Sequence, residues 1–128
     1  KEILEFNPNI ILTHSENDLN LDHRVVFNSV IVGCRPIKKN YKPKKIYSFE
    51  VLSSSEWKLT KNFTPNHYIK LSKKNVLDKW GALKIYSNEI KKLPHPRSLF
   101  GINTLANYRG LQIGEEFAEA YKLIRSIE

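Results

Sequence analysis

The sequence contains no methionine, one cysteine, and no apolar run approaching the ~20 residues that a membrane-spanning helix needs. A single cysteine excludes an internal disulfide and a cysteine-rich zinc site as the source of stability. No signal-peptide pattern opens the chain, so a reducing cytoplasm is the default compartment. A primary translation product begins with methionine, whereas this chain begins Lys1-Glu2-Ile3. The expectation is a chain trimmed or cut from something longer. Glycine-rich phosphate loops, HExxH, CxxC and a serine nucleophile elbow are all missing, which removes the chemistries that depend on them.

What remains is the composition of an ordinary globular chain. The 128 residues suit one domain, 41% are hydrophobic and 27% charged, and neither value fits intrinsic disorder. The formal net charge is +8, which raises the case for a phosphate-bearing partner or an anionic surface. Five lysines fall between Lys38 and Lys45, around Pro43, in what reads as an exposed loop. Tyr41 is the only aromatic there, which makes single-strand nucleic-acid binding a poor fit.

Hydrophobic spacing predicts a mixture of strands and helices, and hence an α/β domain spanning residues 1–128. Lys1 to Phe6 reads as the tail of a helix, broken by Asn7-Pro8-Asn9. Ile10-Ile11-Leu12 is a short continuous apolar run, the pattern of a parallel strand buried on both faces. Such a strand needs parallel neighbours and covering helices, which again points to further N-terminal sequence. Asp22 is placed to cap a helix running to about Cys34, with Val26, Val30 and Ile31 as its buried stripe. Residues 45–52 alternate as a strand, with Tyr47, Phe49 and Val51 on one face. Residues 53–57 are irregular, and His67 to Leu71 is a further strand. Ser72 caps a helix to about Asn88, and Ser98 caps one to Arg109 that Gly110 closes. Phe117, Ala120, Tyr121, Ile124 and Ile127 fit one face of a last helix beginning near Gly114.

The polar stretch from Thr13 to Asn20 follows the first strand, where open α/β sheets place ligands. His14, Asp18, Asp22 and His23 lie close together there, and imidazole with carboxylate suits Zn²⁺. Asp22 could equally be a helix cap and His23 a surface residue. His95 stands between Pro94 and Pro96, which hold the backbone nearly fixed and place the imidazole with little freedom. That setting suits a catalytic group or a rigid connector.

The runs Ile11-Leu12-Thr13-His14 and Asp18-Leu19-Asn20-Leu21-Asp22-His23-Arg24 resemble the second metal-site motif of the LmbE-like (PIG-L) N-acetylglucosamine deacetylases. Tyr47 to Ser54, Pro94-His95-Pro96-Arg97-Ser98, and Tyr108-Arg109-Gly110 leading into Gly114 to Ala120 look like one bacterial branch of that family. The order of these stretches, running through essentially the whole chain, is the specific part of the resemblance.

The resemblance implies a Rossmann-like α/β fold that here lacks its N-terminal strands and helices. It implies a zinc-dependent hydrolase that removes the N-acetyl group from an N-acetylglucosamine-type sugar, in glycan or glycoconjugate biosynthesis. By resemblance His23 is a zinc ligand and Asp22 its neighbouring carboxylate, a catalytic assignment. Asn20 stands where many relatives carry histidine, and with Arg97 it is a candidate for substrate binding. His95 is the candidate for stabilising the oxyanion or protonating the leaving amine. The family's N-terminal His-Pro-Asp-Asp motif is not in the sequence: the one His-Pro pair, His95-Pro96, continues into Arg97. The remaining ligands and the general base would therefore come from upstream sequence or a companion chain, and the 128 residues alone should be inactive. The rival reading is a basic, non-catalytic α/β module that binds a phosphate-bearing ligand or nucleic acid through its lysines.

Overall fold

The computed structural model describes residues 2–36 and 42–128; part of the expected lysine loop, residues 38–41, lies outside them. The element order is α1 (Glu2–Phe6), β1 (Ile10–His14), α2 (Leu21–Gly33), β2 (Lys45–Phe49), β3 (His67–Leu71), α3 (Lys73–Ile85), α4 (Leu99–Leu111) and β4 (Phe117–Ser126). The chain forms a mixed α/β domain whose four strands run in the order β1-β2-β4-β3. β1 pairs parallel to β2 in register from Ile10↔Lys45 to His14↔Phe49, and β2 pairs antiparallel to β4.

Two compact units make up the chain. The first is Lys1–Asn66 with Tyr121–Glu128, and the second is His67–Ala120. In the first, Ile11, Cys34 and Ile46 form the core, with Ile3, Val30, Ile31 and Ile124 packed against them. The inward stripe of α2 includes Phe27, Val30, Ile31 and Cys34 at helical spacing, and the half-buried His23 extends that stripe into the first turn. Val26, expected on this stripe, is exposed instead. In the second unit, Val76, Ile102, Phe117, Ala118 and Ala120 are buried.

Several local expectations hold for physical reasons the sequence displays. Ser72 caps α3 through a reciprocal capping box with Asn75, and the Ser98 hydroxyl accepts the Gly101 N–H at the start of α4. Others do not hold. β1 is an edge strand with alternating burial, not one buried on both faces: Ile11 and Thr13 are inside, whereas Ile10 and Leu12 are 55% and 56% exposed. A run of three apolar residues cannot by itself distinguish these cases. The α2 cap is Asn20, whose side chain accepts the Asp22 N–H at 2.9 Å; Asp22 sits inside the first turn, where its charge suits the helix N-terminus. The expected last helix is β4. Its Glu, Ala and Lys residues favour helix locally, but ladder pairing to β2 and burial of Phe117, Ala118 and Ala120 override that preference.

Gly110 lies inside α4 and does not close it. A Cβ there would meet the backbone of Glu115, Glu116 and Phe117 at 2.6–2.8 Å, so glycine permits the chain to fold back against the helix. The left-handed turn residue is Gly114, at φ 75°.

Cys34 is 2% exposed at the end of α2. Burial pushes its thiol pKa up, against a weaker opposing pull from Arg125. The thiol is therefore expected to stay protonated at neutral pH and to react with a disulfide reagent on the order of 100-fold more slowly in the native chain than in denaturant. Equal rates in both conditions would contradict the burial.

Candidate functional site

The loop between β1 and α2 gathers polar side chains around one buried charge. Asp18 is fully buried at its centre. Its Oδ1 accepts the Asn20 N–H at 2.9 Å, an Asx-type turn that leads directly into the α2 cap. The Ser54 hydroxyl also donates to Oδ1, and the Ser55 hydroxyl donates to Oδ2 at 2.9 Å. Both serines come from the turn after β2, where Ser53 adopts φ 66° and the Val51 N–H donates to the Ser55 hydroxyl at 2.8 Å. Glu16 pairs with Lys122 at 2.6 Å, tying the same loop to β4.

Burial pushes the Asp18 carboxyl toward protonation, but the hydrogen bonds from Ser54, Asn20 and Ser55, with His23 nearby, outweigh it and hold the group below the usual carboxylate range. An ionised carboxylate without water needs such donors on both oxygens.

His23, in the first turn of α2, directs Nδ1 to within 3.1 Å of Asp18 Oδ1. The approach is off the line of an aligned hydrogen bond, so the contact is electrostatic. Nδ1 is buried, while the side chain as a whole keeps 20% of its exposure. His14, at the end of β1, stacks on His23 with ring centroids 3.9 Å apart and planes within 5°. Phe49 meets the His14 ring at 5.0 Å. Burial, with His23 adding to it, lowers the His14 pKa, and Asp18 opposes the shift. His14 thus favours the neutral form, an apolar plate against one face of His23.

The expected site residues divide between the two units. Asn20, Asp22 and His23 fall in the first, and His95 and Arg97 in the second. The carboxylate that reaches His23 belongs to Asp18, while Asp22 is exposed in the first turn of the helix. Asn20 commits its side-chain oxygen to the helix cap and its N–H to Asp18. In the second unit, His95 Nδ1 accepts the Arg97 N–H at 3.1 Å, which places the proton of the neutral ring on Nε2 and makes that atom a donor. The Arg97 guanidinium forms an ion pair with Glu89, so its charge is already compensated. Ser54 and Ser55 are legible in the sequence only as irregular polar residues. The Asp18-Leu19-Asn20 spacing is the local signal for the turn, but nothing local shows that two serines more than thirty residues away close it.

The donor set fits zinc as far as one ligand: a partly exposed imidazole whose buried nitrogen faces a carboxylate. Among the described residues, no group of three or more His, Cys, Asp or Glu is arranged to hold a metal ion. No helix among them is long and apolar enough to cross a membrane.

The architecture places the chain among mixed α/β domains. It is similar to the crystal structure of the conserved protein TT1542 from Thermus thermophilus, with a TM-score of 0.72 at 15% identity. The match covers 99% of this chain and 56% of that protein, so the chain spans a little over half its length. At that identity the likeness shows the fold alone. No family model matches the sequence, and no curated protein matches it.

Proposed function

We propose that this sequence supplies the later part of a zinc-dependent hydrolase that removes an N-acetyl group from an amino sugar, with His23 as a metal ligand. The observation that carries this reading is the setting of His23. It stands in the first turn of α2, just after the loop from β1, with Nδ1 buried against Asp18 and the side chain as a whole partly exposed. The resemblance of the Asp18–Arg24 run to a deacetylase metal motif supports the same assignment. In that reading the remaining ligands and the general base come from outside the described residues.

Zinc, when bound, supplies Lewis-acid polarisation of the amide carbonyl and activation of water. The chain's own contribution is to hold His23. The Asn20 cap fixes the first turn of α2, and the His14 ring lies flat against the His23 imidazole. Asp18 brings a negative charge to the buried side of the ring.

The protein carrying this sequence should bind zinc and release acetate from N-acetylglucosamine conjugates in a chelator-sensitive manner. His23→Ala should abolish zinc retention, measured by metal analysis after dialysis. Stoichiometric zinc in that variant would remove the ligand assignment. Chelator-insensitive, strongly salt-dependent binding of polyanions would instead favour the basic binding module.

A further inference from the structure

Asp18 is fully buried and makes contacts that a surface turn does not need. Three donors from two separated stretches of chain converge on its two oxygens. The cost of burying this charge is offset by those donors, and the charge faces an imidazole nitrogen. An ionised carboxylate has only acceptor capacity. A lone pair on His23 Nδ1 would be repelled at 3.1 Å, whereas an N–H there is attracted even without linear geometry. The neutral imidazole carries one proton, so a proton on Nδ1 leaves the lone pair on Nε2. His14, stacked at 3.9 Å, restricts the plane in which that lone pair points.

We infer that Asp18 is a positioning residue that holds His23 in the Nδ1–H tautomer and so leaves the Nε2 lone pair available as a ligand. The inference rests on the zinc-ligand reading for its purpose, but the tautomer itself is independent of any metal. Asp22, the adjacent carboxylate in the sequence, serves the helix terminus instead. Ser54 and Ser55 act one step further out, by donating to both Asp18 oxygens and holding the side chain in place.

The test is long-range ¹H–¹⁵N correlation NMR of the metal-free, ¹⁵N-labelled chain at about pH 8, above the ordinary histidine pKa of about 6.5. His23 is expected as the Nδ1–H tautomer in the wild type, and Asp18→Ala is expected to shift it to the Nε2–H form. Asp18→Asn keeps the shape of the side chain and serves if the alanine variant does not fold. In the complete protein carrying this sequence it should lower zinc affinity about 10–100-fold while the backbone amide spectrum away from the loop is unchanged. A wild-type His23 in the Nε2–H form would overturn the inference. So would unchanged tautomer populations in the folded variants, together with unchanged zinc affinity in the corresponding variants of the complete protein. A complete wild-type protein with the expected tautomer but no zinc affinity would overturn the metal reading, while leaving the hold of Asp18 on the ring established.

Discussion

Gly101→Ala is expected to be among the most damaging single substitutions in the second unit. A Cβ at position 101 would lie 2.0 Å from the Pro96 carbonyl oxygen and 2.8 Å from the Pro96 carbonyl carbon. Both atoms are backbone, so no rotamer change relieves the overlap. The first turn of α4 must move, or the Pro94–Ser98 turn must. The Ser98 hydroxyl caps that same first turn, and the His95 carbonyl accepts the Ser98 N–H at 2.9 Å, so movement of one displaces the other. Overpacking usually costs about 1–3 kcal/mol; with backbone on both sides the expected loss is about 3 kcal/mol or more. Denaturant titration checks the size, and NMR shifts of His95 check that the turn has been displaced. An unchanged midpoint and an unmoved His95 would show that the helix and the turn have room for the added methyl group.

The second large effect is expected from Asp18→Ala. The substitution leaves the Asn20 N–H and the Ser54 and Ser55 hydroxyls without their carboxylate acceptor. Hydrogen bonds to a charged group contribute about 1.5–3 kcal/mol each, and buried unsatisfied donors add to the cost, so a loss of about 3 kcal/mol is expected at neutral pH. The pH dependence has a definite sign. The Asp18 pKa is depressed in the folded state, so the unfolded chain takes up the proton first as pH falls. The stabilisation is fully present above the unfolded pKa and is lost as pH falls through the folded one. The stability gap between wild type and Asp18→Ala should therefore narrow below the ordinary carboxylate pKa of about 3.9. A gap that stays constant through that acid range would mean that the carboxylate is not the stabilising charge.

The parts of this molecule that are legible in its sequence are those governed by neighbours a few residues apart. Ser72 and Ser98 announce α3 and α4 because a capping hydroxyl acts on N–H groups within the next turn. The α2 cap falls two residues before the expected Asp22, because Asn20 and Asp22 carry equivalent capping chemistry. Phe117 to Ile127 satisfies a helical spacing, and only the pairing of β4 with β2 decides that it is a strand. Ile10-Ile11-Leu12 has the pattern of burial on both sides, but its place at the sheet edge is a property of strand order, which no short window contains.

The candidate site follows the same division. His14, Asp18 and His23 are visible in the sequence as a polar cluster after β1. The choice of Asp18 over Asp22 as the partner of His23 is not visible there. Adjacency in sequence favours Asp22, but the direction of a side chain in the first turn of a helix and the arrival of Ser54 and Ser55 favour Asp18.

The loop around Asp18 also bears on how the first unit assembles. Ser54 and Ser55 reach it across 36 and 37 positions, and Lys122 reaches Glu16 across 106. Closing such separations costs chain entropy before any contact is gained. Until they close, Asp18 has only its local turn, and the ring of His23 has no fixed neighbour on its buried side. The His23 environment is thus a sensor of completed topology. It is complete only when the turn carrying Ser54 and Ser55 has met the loop carrying Asp18, and it should be among the first features to dissolve when that link lets go.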